Sequence, residues 1–180
     1  GMHAGGNLKV QEFMVAPAGL PTFSECLRAS SEIYMSLKSL LTEKYGASSV
    51  NVGDEGGFAP PMDTVAEALG VIAEAVSDAG YSPGKEVVLT IDAASSEFFA
   101  DDRYDIDGMS LTAGELVDHY IALTEEFPLI SIEDPFFEDD FDSTAELTAK
   151  IGNNVQIVGD DLFATNTERL ERGIKSKSAN

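Results

Sequence analysis

The sequence predicts an α/β protein in which parallel strands are covered by helices, and three observations lead there. From residue 86 onward, segments of strand and helix character alternate in regular order. The strand candidates VVLTI (87–91), LISI (129–132) and VQIV (155–158) are β-branched and largely apolar on both faces, as strands of a covered parallel sheet are. Between and before them, a hydroxyl residue followed three positions later by glutamate recurs, which is the capping-box signature of a helix start.

Taken in order, LKVQEFMVAP (8–17) reads as a strand whose apolar character is broken by Lys9, Gln11 and Glu12. Thr22-x-x-Glu25 opens a helix with apolar positions at Phe23, Cys26, Leu27, Ile33, Tyr34, Leu37, Leu40 and Leu41, closed by Gly46. NVGDEGGFAPP (51–61) sets Asp54 and Glu55 among three glycines before Pro60 and Pro61, the composition either of a solvated turn or of a flap carrying a catalytic acid. Thr64-x-x-Glu67 and Thr112-x-x-Glu115 open two more helices, the first closed by Gly80, and Ser143-x-x-Glu146 and Thr165-x-x-Glu168 open two shorter ones. FFADDRYDIDG (98–108) reads as a small excursion at a strand end with no chemistry of its own. The alternation implies right-handed βαβ units. An open doubly wound sheet and a (β/α)8 barrel both fit it. A whole barrel takes about 250 residues, so the chain reads as a small open sheet or as just over half a barrel.

Composition narrows the function. At 180 residues with 43% hydrophobic content, the chain has one ordinary core and no room for two comfortable domains. Its 32 acidic against 11 basic residues give a formal charge of -21, which argues against nucleic acid and against an anionic membrane surface. The same excess suits divalent cations. A single cysteine, Cys26, excludes an internal disulfide and a thiolate metal cluster, and reads as a buried small hydrophobe. No apolar run reaches membrane length and no signal peptide opens the chain, so a cytoplasmic protein is expected.

Each of the three parallel-strand candidates runs into an acid: Asp92, Glu133 and Asp160. In α/β proteins the carboxyl ends of the strands converge on the binding face, so these three should meet in space. A lone acid after a strand is often only the N-cap of the next helix. Three in succession, each before a loop, point instead to a shared cation, because like charges at 4 Å repel by roughly 4 kcal/mol at an effective dielectric near 20. Oxygen-only ligands select Mg²⁺, Mn²⁺ or Ca²⁺ over zinc. Asp134 and Asp161 adjoin the ligands, whereas Glu138, Asp139 and Asp140 read as a solvated run into a helix. His119 is assigned no role, and Lys9 and Arg103 are expected at the surface.

HAGGNLKVQEFM, NVGDEGGFAP, IDAASSEFF, SIEDPF and IVGDDLFATN, in this order and at these separations, strongly resemble the enolase family. The resemblance covers nearly the whole chain and implies a hydro-lyase, phosphopyruvate hydratase, which reversibly dehydrates 2-phosphoglycerate to phosphoenolpyruvate in glycolysis. It implies Mg²⁺ held by Asp92, Glu133 and Asp160, the acids singled out by the strand ends. It further implies Glu55 as proton donor and Glu12 as supporting carboxylate, with His3, Gln11, Glu12, Glu133 and Asp160 meeting substrate.

On fold, the resemblance implies a partial (β/α)8 TIM-type barrel of the enolase kind. Residues 1–180 then form one partial domain, the N-terminal half of the catalytic barrel, without the family's N-terminal α+β domain. The family's lysine base and its His-Arg-Ser phosphate-binding segment have no counterpart here. Neither Lys175 nor Lys177 is offered as the base, since both read as a short polar segment after a helix. An isolated piece of this kind is expected to be inactive, while the parent is expected to be a homodimer or octamer, cytoplasmic and in some cases also found at the cell surface. The competing expectation is a non-catalytic acidic module for divalent-cation binding or surface adhesion.

Overall fold

A computed structural model describes residues 8–53 and 55–180. The expectations for His3 and Asp54 therefore lie outside the described residues. Four strands form the main sheet in the order β1-β2-β6-β7: β1 (Glu12–Ala16), β2 (Val88–Asp92), β6 (Leu129–Glu133) and β7 (Gln156–Val158). β1 runs antiparallel to β2, while β2, β6 and β7 are parallel to one another. Helices α1 (Phe23–Tyr45), α2 (Val65–Asp78), α3 (Ala113–Glu126), α4 (Phe141–Ile151) and α5 (Thr167–Ser176) fill the connections. Residues 98–108 and their continuation form a separate meander, β3 (Phe99–Ala100), β4 (Arg103–Ile106) and β5 (Met109–Leu111).

Pairing register carries the most consequence for function. In the parallel β2–β6 pair, Leu89 faces Leu129, but the register shifts before Thr90, which faces Ser131. An unshifted ladder would set Asp92 beside Ile132 and turn Glu133 to the other face, because side chains alternate with period two. The shift instead sets Asp92 beside Glu133. On the other side of β2, Glu12 of β1 faces Asp92. One rung of the sheet thus carries three carboxylates in a row.

The core lies on the opposite face. Leu89, Ile91, Leu129, Ile132 and Ile157 are buried against Leu69, Leu116, Val117, Tyr120 and Leu147 of the helices. Each such side chain contributes about 2 kcal/mol by leaving water. The strands alternate more than expected. Thr90, Ser131 and Glu133 on the second face are only partly buried, and Gln156 is exposed. These polar residues line the concave side that eight strands would enclose in a closed barrel.

The helix starts bear out three of the five predicted N-caps, of which only Thr112 with Glu115 is a full capping box, and correct the other two. Thr22, Thr64 and Thr112 each accept from the backbone N–H three residues on, and Glu115 completes the reciprocal bond to Thr112. Helix α4, however, is capped by Asp140, whose carboxylate accepts from Ser143 N at 3.0 Å. Asp140 is therefore a cap and not merely a solvated acid. Helix α5 is capped by Asn166, since Thr165 has φ 52° and lacks the extended backbone that an N-cap needs. Lys175 lies inside α5, and Lys177 caps its C-terminus in the left-handed region.

Helix α1 also departs from its apolar list. Its buried stripe is Ala29, Ile33 and Leu41, with Leu37 packed alongside. At about 100° per residue, Phe23 and Leu27 fall more than about 110° away from Ala29. They are accordingly 82% and 61% exposed. Cys26 is only half-buried, and its thiol donates to the Pro17 carbonyl at 3.2 Å.

Candidate functional site

The loop between α1 and α2 is a tight turn closed on itself. Val52 bridges Phe58, Gly53 N donates to Gly57 O at 2.8 Å, and Gly56 N donates to Gly53 O at 3.0 Å. Gly56 has φ 83°, a left-handed conformation that glycine adopts without strain. Tyr34 of α1 fastens the turn: its hydroxyl donates to Gly56 O at 2.9 Å and its ring stacks on Phe58 with centroids 4.4 Å apart. Tyr34 had read only as one more apolar helix position. Its partners lie some twenty residues away, and no local pattern announces them.

The turn presents Glu55, itself exposed, to Glu12 on β1. Their carboxyls share a hydrogen bond. That bond, then partial burial and the charges of Glu55 and Asp92, raise the Glu12 carboxyl to about 7. Raised this far, the Glu12 carboxyl is still partly protonated at neutral pH.

Asp92 stands next in the row. Burial, followed by the charge of Glu133, raises it to about 6, while a hydrogen bond from Ala94 N at 3.0 Å opposes the shift. Gln11 Nε2 donates to its other oxygen at 3.1 Å. Glu133 is also raised, by burial first and then by Asp134, Asp160 and Glu12. Asp92, Glu133 and Asp134 each offer an oxygen within 4.8 Å of the others. Asp160, exposed in the loop after β7, belongs to a second such group with Asp134 and Asp161. Asp134 is common to both groups and is only 5% exposed.

The donor set is oxygen only and densely anionic, which fits a hard divalent cation and not zinc. The upward shifts of Asp92 and Glu133 report burial first and then repulsion from neighbouring carboxylates, and a bound cation would offset both by favouring the charged forms. The metal-free protein should consequently lose stability as pH rises. A carboxyl raised in the folded state favours folding while protonated. That advantage is complete below the unfolded values of 3.8 for Asp92 and 4.5 for Glu12, and is lost as pH passes about 6 and about 7. For half-exposed Asp92, discounted for solvent screening, the change is on the order of 1 kcal/mol. In EDTA the thermal midpoint is expected to be higher at pH 5 than at pH 7.5, and added Mg²⁺ should restore it at pH 7.5. A midpoint that climbs from pH 5 to pH 7.5 in EDTA would contradict this.

Around the site, the meander does have a supporting role. Buried Tyr104 accepts at its hydroxyl from Phe137 N at 3.0 Å, and Asp107 accepts from Val65 N at the start of α2 at 2.8 Å. His119 Nε2 lies 3.2 Å from Asp107 Oδ2. These contacts brace the loop after β6 and the first turn of α2. Among the described residues no helix is long and apolar enough to cross a membrane.

Comparison with known proteins gives this arrangement its family. The enolase C-terminal TIM barrel domain matches residues 1–180. The chain is 53% identical over 180 residues to the enolase of Methanocaldococcus jannaschii, all of this chain and 42% of that protein. It is 50% identical over 182 residues to the enolases of Methanopyrus kandleri and Pyrococcus furiosus, covering all of this chain and 43% and 42% of theirs. The chain therefore spans about two fifths of the length of these relatives. Its four-stranded sheet and covering helices are part of a TIM-type barrel, and the chain belongs to the enolase family.

Proposed function

We propose that this chain is the N-terminal half of the catalytic barrel of a phosphopyruvate hydratase, a Mg²⁺-dependent lyase of glycolysis and gluconeogenesis. The observation that carries the reading is the single sheet rung in which Glu12, Asp92 and Glu133 stand side by side, with Glu55 hydrogen-bonded to Glu12 at one end. Metal-ligating acids and a proton-holding pair then flank one space.

Asp92, Glu133 and Asp160 are assigned as the Mg²⁺ ligands. Mg²⁺ supplies the positive charge that stabilises negative charge developing on the carboxylate of 2-phosphoglycerate. Glu55 gives its proton to the departing hydroxyl, which is a poor leaving group without a general acid. Glu12 keeps that proton available, because two adjacent carboxyls cannot both ionise cheaply near neutral pH. Gln11 orients Asp92 through the hydrogen bond to its carboxylate. His3, Gln11, Glu12, Glu133 and Asp160 are assigned to substrate contact. The base that takes the C2 proton is assigned to no residue of this chain. The product is phosphoenolpyruvate, the functional protein is a homodimer or octamer in the cytoplasm, and it has no nucleic-acid or membrane partner.

The test is the appearance of phosphoenolpyruvate absorbance when the gene product containing this chain meets 2-phosphoglycerate and Mg²⁺. Formation that stops on chelation is the expected result. A purified, folded product that forms none with Mg²⁺ present would overturn the assignment.

A further inference from the structure

Asp134 follows Glu133 directly, and its carboxylate is spent in an unusual way. Oδ1 accepts from Asp160 N at 3.1 Å and from Leu162 N at 3.3 Å, while Oδ2 accepts from Asp161 N at 2.8 Å. Three of roughly four lone-pair positions are therefore occupied by backbone N–H groups of one loop. The main chain of Asp134 is engaged as well: its N–H donates to Val158 O at 3.0 Å, and its carbonyl accepts from Ser95 N at 3.1 Å. One buried residue thus touches the strand-end loops of β2 and β7 while sitting at the end of β6. It is held at φ 43°, a left-handed conformation that surrounding bonds must enforce in any residue but glycine.

That arrangement separates Asp134 from its acidic neighbours. Asp160 and Asp161 are exposed and Glu133 is half-buried, whereas the Asp134 oxygens are turned into the loop backbone. We propose that Asp134 is a positioning residue, whose carboxylate clamps residues 160–162 and so fixes Asp160 relative to Asp92 and Glu133 for cation binding. The inference rests on the assignment of those three acids as Mg²⁺ ligands. Partners that orient ligands in this way typically alter metal affinity 10- to 100-fold when lost.

Two substitutions separate geometry from charge. Asp134→Asn keeps the shape but places an NH2 group where the loop offers only donors. Asp134→Glu keeps the charge but adds a methylene that the clamp cannot accommodate. Both are expected to weaken Mg²⁺ binding 10- to 100-fold in calorimetric titration of the gene product containing this chain, at a temperature where both remain folded by circular dichroism. Wild-type affinity in both variants, beside binding lost in Glu133→Gln, would overturn the clamp and leave the metal assignment standing. Wild-type affinity in Asp134→Glu alone would also overturn it, since charge would then suffice. No Mg²⁺ binding by the wild type would remove the metal assignment and the clamp with it. A measurement free of variants is amide exchange in the metal-free wild type, where Asp160, Asp161 and Leu162 should be protected. Unprotected amides at these three positions would contradict the clamp.

Discussion

Glu55→Gln, introduced into the gene product containing this chain, is expected to lower the rate of dehydration by about 10²- to 10⁴-fold, the usual contribution of a positioned general acid. Glutamine preserves the size of the side chain and its capacity to bond Glu12, so the turn from Gly53 to Gly57 should keep its own hydrogen bonds. What glutamine cannot do is deliver a proton. Mg²⁺ affinity should stay within about threefold of wild type, because the proposed cation ligands lie on other elements. The informative pair of measurements is therefore kcat and Mg²⁺ affinity on the same preparation. Turnover at the wild-type rate would remove Glu55 from the mechanism.

Glu133→Gln should produce the opposite pair of effects. Glu133 ends the acidic row, with Asp92 as its register partner on β2 and Val158 on β7. Burial first, and then the charges of Asp134, Asp160, Glu12 and Asp161, push its carboxyl upward. If Glu133 is one of the three proposed oxygen ligands, its loss should lower Mg²⁺ affinity at least about a hundredfold, at the upper end for changes around a metal site. Without metal, the same substitution should stabilise the fold, by about 1 kcal/mol at pH 7.5, because it removes like-charge repulsion from a partly screened cluster. Thermal unfolding in EDTA measures that sign directly. Had Glu133 served only to hold the sheet together, the variant would unfold earlier and not later. Sites that trade stability for function commonly behave in this way.

Much of the architecture was legible because it depends on local pattern. The β-branched runs became β2, β6 and β7, and Thr22, Thr64 and Thr112 capped their helices. Two other starts were misread for a local reason of a different kind. Asp140 and Asn166 cap as well as any hydroxyl residue, and neither glutamate motif competes with them. Phe23 and Leu27 were placed with the core from hydrophobicity alone, although helix geometry turns them outward. The acids at the strand ends were visible because parallel strands bring their carboxyl ends to one face. What no periodicity discloses is long-range pairing. The register shift that sets Asp92 beside Glu133 joins residues some forty positions apart, and Tyr34 reaches across twenty-two to hold Gly56. Asp134 likewise read only as a neighbour of the ligands, since its loop partners lie twenty-six to twenty-eight residues further on.

The central claim is that three acids from adjacent strand ends hold one divalent cation, with Asp134 reserved for the backbone behind them. Crystals of the gene product containing this chain, grown with Mn²⁺ and measured at the manganese absorption edge, test it most directly. The expected result is one anomalous peak about 2.0–2.3 Å from a carboxylate oxygen of each of Asp92, Glu133 and Asp160, with the Asp134 oxygens still facing the N–H groups of residues 160–162. A peak coordinated by Asp134 and Asp161, with Asp92 and Glu133 unengaged, would contradict it.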